Sequence, residues 1–156
     1  MSTGLEPGDQ MPAFDIDSNN SGRIASSDLK GRKAVIYFYP KDDTPGCTKE
    51  AIAFSQLREA FDAANTRTIG ISGDTGEKHD KFIAKHALDI TLGSDPEHTT
   101  LKAFGVWVEK AMYGRKYFGI ERSTFLIAED GTVAQVWRKV KVPGHAEIVL
   151  AAAKTL

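Results

Sequence analysis

Apolar positions fall into distinct patterns along this chain, and each pattern predicts a different element. Residues 35–39, Val-Ile-Tyr-Phe-Tyr, are apolar on both faces and rich in β-branched and aromatic side chains. Such a run suits a central strand covered on both sides. Pro40 ends it, because proline cannot donate to a ladder. Over residues 47–64, Ala51, Phe54, Leu57, Phe61 and Ala64 recur at spacings of three and four, with Lys49, Arg58 and Asp62 off the stripe. That spacing predicts one amphipathic helix of about four to five turns. Residues 68–72 read as a second strand, 77–86 as a second helix with Phe82 and Ile83 inward, and 97–104 as a short helix. The runs 123–127 and 132–137 flank Asp130-Gly131 and predict a hairpin. Residues 145–154, with Ile148, Val149 and Ala152, predict a closing helix, and the polar cluster within 15–22 a turn.

The order is β-α-β-α, a further helix, a hairpin and a final helix. It implies an α/β protein with a mixed central sheet flanked by helices, compatible with a thioredoxin-like fold. No repeat or linker breaks the pattern, so the 156 residues are expected to form one domain over 1–156. A chain of this length buries roughly two-thirds of its unfolded surface and needs neither metal nor disulfide to fold.

Charge and composition then remove several functions. Lysine plus arginine number 20 against 21 aspartate plus glutamate, which leaves no general electrostatic case for nucleic-acid binding. The apolar run 34–39 is too short to span a bilayer. Residues 1–7 show no basic-then-apolar stretch, so no signal peptide is visible and a cytoplasmic location is expected. His79, His86, His98 and His145 lack metal-ligand spacing and are expected to be structural or solvent-facing. Gly70-x-x-Gly73-x-x-Gly76 matches no phosphate or dinucleotide loop. Phe104, Trp107 and Tyr113 are expected in core or rim packing, and Arg138-Lys139-Val140-Lys141 at a solvated strand end.

The chain has one cysteine, Cys47. An internal disulfide and any site with two thiolate ligands are therefore excluded. Cys47 follows a strand and a Thr44-Pro45-Gly46 turn and opens a helix. A helix start presents free N–H groups and about half a positive charge, and both favour thiolate over thiol. At a reference pKa of about 8.5, roughly 3% of a cysteine is thiolate at pH 7, so complete ionisation gains at most about 30-fold. Lower pKa also weakens the nucleophile. Fast chemistry at this sulfur must therefore rest on donors that meet charge developing in the transition state.

Pro40-x-x-x-Thr44-x-x-Cys47 matches the peroxiredoxin motif, and the run from Phe38 to Glu50 resembles the bacterioferritin comigratory protein, or Q-type, subfamily. The resemblance extends over nearly the whole chain. It includes Gly8-Asp9-Gln10-Met11-Pro12-Ala13-Phe14, similar to the family's opening strand, then Ser94-Asp95-Pro96, Phe104-Gly105-Val106-Trp107 and Gly119-Ile120-Glu121-Arg122-Ser123-Thr124-Phe125. It implies a thiol-dependent peroxidase acting on hydrogen peroxide and organic hydroperoxides, with no cofactor. By the same resemblance Cys47 attacks peroxide and becomes a sulfenic acid. Thr44 hydrogen-bonds at thiolate and peroxide, Arg122 holds the thiolate and the transferring oxygens, and Pro40 shields the thiolate from water. The N–H groups at Gly46 and Cys47 assist, and Glu50 orients Arg122.

The sequence departs from the family where a resolving cysteine is carried: Ile52 stands five residues after Cys47, and no cysteine lies near Ile83. A 1-Cys scheme follows, in which thioredoxin, a glutaredoxin, glutathione or another small thiol attacks the oxidised Cys47. Subfamily resemblance favours a monomer. A thiol–disulfide oxidoreductase would want Cys-x-x-Cys, and Glu50 occupies the second place. A non-enzymatic redox sensor or holdase would use the same residues without turnover.

Overall fold

The computed structural model describes residues 5–156; the first four residues of the N-terminal stretch read above lie outside them. Nine strands and five α-helices follow in order: β1 Asp15–Ser18, β2 Arg23–Ala25, β3 Lys33–Phe38, α1 Pro45–Gln56, α2 Arg58–Ala63, β4 Thr66–Ser72, α3 Gly76–His86, β5 Thr91–Ser94, α4 Thr99–Ala103, β6 Trp107–Met112, β7 Arg115–Ile120, β8 Ser123–Ile127, β9 Val133–Trp137 and α5 His145–Thr155. A seven-stranded sheet runs β2-β1-β5-β4-β3-β8-β9. Strand β3 lies parallel to β4 and antiparallel to β8, so the sheet is mixed, as expected.

Strand β3 is buried at all six positions, and its alternation splits the core. Ala34, Ile36 and Phe38 join one apolar layer with Ile69, Ile71, Leu101, Phe104 and Phe125. Val35, Tyr37 and Tyr39 join the other with Cys47, Phe54, Phe61, Phe82 and Val149. Helices α1, α2, α3 and α5 cover this second face, which places the lone cysteine at the top of a strand-and-helix sandwich. Tyr37 stacks on Phe54 at 4.6 Å between ring centroids and lies across Gly70 of the neighbouring strand. A Cβ at Gly70 would stand 2.6 Å from the Tyr37 ring.

Three features differ from the sequence reading. The helix over 47–64 is two helices: the Leu57 N–H tightens onto the Phe54 carbonyl, ending α1 and turning α2 so that Phe61 is fully buried beside Phe54. Residues 15–18 are a strand and only the following residues turn, with Asn20 and Ser21 at positive φ; Asp15 and Asp17 point outward while Ile16 and Ser18 are buried. The opening stretch 8–14 contributes a single bridge, Gln10 to Thr132, rather than a strand. Strands β6 and β7 form a separate ribbon. Its turn, Tyr113-Gly114, has positive φ at both residues, the geometry that matches strand twist in a two-residue hairpin. Tyr113 is thus 96% exposed instead of packed, and Ile148 of α5 is exposed as well. Phe104 is buried, and Trp107 stacks on His98 at 3.8 Å.

The Gly70–Tyr37 approach gives a direct test. Gly70→Ala is expected to destabilise the protein by about 1–3 kcal/mol, the usual cost of overpacking. Because Tyr37 lies on Phe54 of α1, the displacement reaches the helix that carries Cys47. Chemical denaturation of the variant against the parent measures it.

Candidate active site

Helix α1 begins at Pro45, with Thr44 as its N-cap residue in extended conformation. Proline suits this first position, because its missing N–H would have had no partner there. The first rung of the helix runs from the Thr48 N–H to the Thr44 carbonyl at 2.8 Å. The N–H groups of Gly46 and Cys47 precede that rung and belong to the unsatisfied first turn. The Thr44 side chain makes no capping bond. Its hydroxyl instead donates to the Lys41 carbonyl at 2.9 Å, which leaves its oxygen lone pairs open as acceptors.

Arg122 comes to this helix start from immediately before β8, the strand paired with β3. Its Nη2 lies 3.3 Å from Cys47 Sγ, and its Nη1 donates to Glu50 Oε1 at 2.6 Å. Cys47 is 2% exposed, Glu50 1%, and the Arg122 side chain 17%. Glu50 follows Cys47 by three residues, so both project from one face of α1. Gly46 leaves the room that the guanidinium occupies: a Cβ there would lie 3.3 Å from Nη2. Pro40 is exposed at the end of the strand that delivers the loop.

The electrostatics around this trio run in several directions. Burial pushes the Glu50 carboxyl up to about 7 against the opposing pull of Arg122, and its Oε2 has no hydrogen-bond partner. A half-partnered buried carboxylate is poorly compensated for lost hydration. Burial also works against the Arg122 cation, but Glu50 and Cys47 together raise its pKa. His145 is driven down to about 4 by burial and by Arg122; its Nε2 meets the Thr124 hydroxyl at 2.8 Å. Burial, and then Glu50, raises Tyr37 well above the usual phenol range. At neutral pH Arg122 is the cation that the sulfur meets.

The structure therefore brings Cys47, Gly46, Glu50 and Arg122 together, with Thr44 at the head of the same helix. Sequence reasoning missed the group that fixes Arg122 from behind: the Val140 N–H donates to the Arg122 carbonyl at 3.0 Å. The basic stretch 138–141 is thus more than a solvated strand end. Arg138 lies over the Phe125 ring, 5.7 Å from its centroid, and donates to the Leu5 carbonyl. Among the described residues, no three His, Cys, Asp or Glu side chains gather as a metal site. No described helix is long and apolar enough to cross a membrane.

Residues 7–136 match the model of the AhpC/TSA family. The chain belongs to that family. Within it, the resemblance is to Bcp peroxiredoxins. A peroxiredoxin Bcp of Xanthomonas campestris is 52% identical over 150 residues, 93% of each chain. A putative Bcp peroxiredoxin of Coxiella burnetii is 46% identical over 146 residues, 93% of this chain and 97% of its own. Among solved structures, a cysteine-to-serine mutant of Xylella fastidiosa PrxQ superimposes with a TM-score of 0.93 at 39% identity, covering 99% of this chain and 98% of its own. The fold is accordingly the thioredoxin-like one of peroxiredoxins, and the protein is a thiol peroxidase. Solved forms of X. campestris peroxiredoxin Q carry serine at two different cysteines, whereas this peroxiredoxin has Cys47 alone.

The buried Glu50 leaves a mark on stability. Its folded pKa, about 7, lies above the ordinary glutamate value of 4.5. As pH rises from 4.5 to 7 the unfolded chain releases this proton first, so stability falls across that window. Glu50→Gln is expected to flatten the decline; melting temperatures of both proteins at pH 5 and pH 8 measure it.

Proposed function

We propose that this peroxiredoxin reduces hydrogen peroxide and organic hydroperoxides through Cys47 and is regenerated by an outside thiol. The observation that carries the reading is the 3.3 Å approach of the Arg122 guanidinium to a sulfur at a helix start, with Glu50 holding the other end of the cation. In the first step the Cys47 thiolate attacks one peroxide oxygen. The O–O bond breaks, and the departing oxygen takes up a proton as water or alcohol. Cys47 is left as a sulfenic acid. The Thr44 hydroxyl already gives its proton to the Lys41 carbonyl, so its oxygen accepts from the peroxide O–H and orients it. Arg122 and the N–H groups of Gly46 and Cys47 meet the negative charge that grows on the breaking bond. Pro40 limits water at the loop. The alkyl range is supported by a 44% identical X. campestris protein, whose solved complexes are described in terms of alkyl peroxide reduction.

The second step follows from the single cysteine. A thiol attacks the sulfenic sulfur, forming a mixed disulfide and releasing water. A second thiol attacks that disulfide and restores Cys47, so one peroxide consumes two thiols. Ile52 and Ile83, the places where relatives could supply a resolver, are partly buried beside the Cys47 layer and carry no thiol. A sulfur only 2% exposed favours a small thiol such as glutathione, directly or through a glutaredoxin, over thioredoxin. The acting form is a monomer, the state that the subfamily resemblance favours.

Two experiments test the cycle. Arg122→Ala is expected to slow peroxide oxidation of Cys47 by more than about 100-fold, beyond the 30-fold or so that thiolate fraction alone can account for. Stopped-flow oxidation, compared with alkylation rates that report the thiolate, separates the two contributions. A loss that merely follows the thiolate fraction overturns the proposed role of Arg122. For the resolver, intact mass after one equivalent of peroxide is expected to show a glutathione adduct on Cys47 when glutathione is present. A disulfide-linked dimer as the sole product counts against the 1-Cys cycle, and one stoichiometric oxidation without turnover marks a sensor instead.

A further inference from the structure

Behind the loop that delivers Thr44 lies a buried polar cluster that the peroxide chemistry leaves unused. His79 of α3 is fully buried. Its Nδ1 lies 2.6 Å from Asp42 Oδ2, and its Nε2 lies 2.9 Å from the Gly93 carbonyl of β5. The Tyr39 hydroxyl donates to Asp42 Oδ1 at 2.5 Å. The Asp42 N–H donates to Asp74 Oδ2 at 2.7 Å, and Ser72 Oγ donates to the same oxygen at 2.8 Å. A carbonyl only accepts, so Nε2 must carry hydrogen. The short contact to the carboxylate needs a further proton between Nδ1 and Oδ2. That shared proton ties the imidazole to the carboxyl group inside the fold, so His79 holds Asp42 by a short buried hydrogen bond.

This pair grips the loop at a telling place. Asp42 follows Lys41, whose carbonyl takes the Thr44 hydroxyl proton. Asp43 comes next, at φ +60°, and its carboxylate is held from the same helix by Lys85 at 2.7 Å and His86 at 2.8 Å. Helix α3 therefore holds two consecutive loop residues, one from inside and one from outside. Three residues on, the chain reaches the Gly46 and Cys47 amides. We infer that His79 is a positioning residue of the peroxide site: by holding Asp42 it sets the 41–44 turn, and so the direction of the Thr44 hydroxyl relative to the Cys47 sulfur. Arg122 is fixed separately, by Glu50 and Val140, so the His79–Asp42 contact acts on the Thr44 side of the site alone. The inference rests on the peroxidase reading of Cys47.

The experiment compares two second-order rates on the full chain, oxidation of Cys47 by hydrogen peroxide and its alkylation by iodoacetamide. The second needs an available thiolate but no oriented peroxide. In His79→Gln, oxidation is expected to slow about tenfold or more, since small misplacements of a reacting group cost that much, while alkylation changes less than about twofold. Asp42→Asn is expected to do the same, and the double variant to lose no more than either single one. Wild-type oxidation, or an equal loss of both rates, in folded His79→Gln overturns the inference. Should that variant fail to fold, Asp42→Asn decides by the same criterion. If neither folds, His79 is a core residue first and the inference falls. Absence of peroxide oxidation in the parent protein would instead strike at the peroxidase reading itself.

Discussion

Everything at this site depends on one guanidinium shared between a cysteine sulfur and a buried carboxyl group. Arg122 touches Cys47 Sγ and Glu50 Oε1 at the same time, in surroundings that exclude most water. A buried cation with a single partner would be stranded whenever that partner lost its charge, at a cost of several kcal/mol. In the proposed cycle Cys47 passes through a neutral sulfenic acid and a neutral mixed disulfide. Glu50 stays. Its hydrogen bond with Nη1 therefore keeps Arg122 in place through those states of the sulfur.

Helix α1 makes that sharing geometrically simple. Cys47 and Glu50 are three residues apart on one helical face, so a single cation approaching from β8 reaches both. The same helix leaves its first N–H groups unpaired around Cys47 and packs Phe54 on Tyr37 one turn below Glu50. Nearby groups avoid competing charge: His145 stays neutral at physiological pH, and burial keeps the Tyr37 phenol protonated. Glu50 carries the tension in this arrangement, because one of its oxygens is paired and the other has no partner.

Much of this was legible in the sequence. The apolar run of β3, the proline that ends it, the Thr-Pro-Gly turn and the amphipathic stripe after Cys47 all report local physics, and the structure follows them. Short strands with few apolar residues were not legible: β5 is Thr-Leu-Gly-Ser, and it exists because β4 and β1 pair with it on either side. The β6–β7 ribbon leaves aromatic side chains in solvent, which inverts the usual inference from aromatic residues to packing. At the site, cysteine, arginine and glutamate could be singled out through the family resemblance. The Val140 and His79 contacts could not, because they join residues 18 and 37 positions apart through the tertiary fold.

The missing second cysteine fits the way the active-site loop is built. A chain that resolves its own sulfenic acid must bring two sulfurs within bonding distance, and at least one of the segments bearing them must move. Here Asp42 and Asp43 are tied to α3 on both its buried and exposed sides. Ile83 of that helix packs against the core layer that also contains Cys47. Such ties oppose a large displacement of α3 relative to the loop. They carry no penalty in a cycle whose resolving thiol arrives from solvent, since only a local opening beside Cys47 is then needed. In the proposed cycle, ties that would hinder an internal disulfide instead keep Thr44, the helix amides and Arg122 in register for the oxygen transfer.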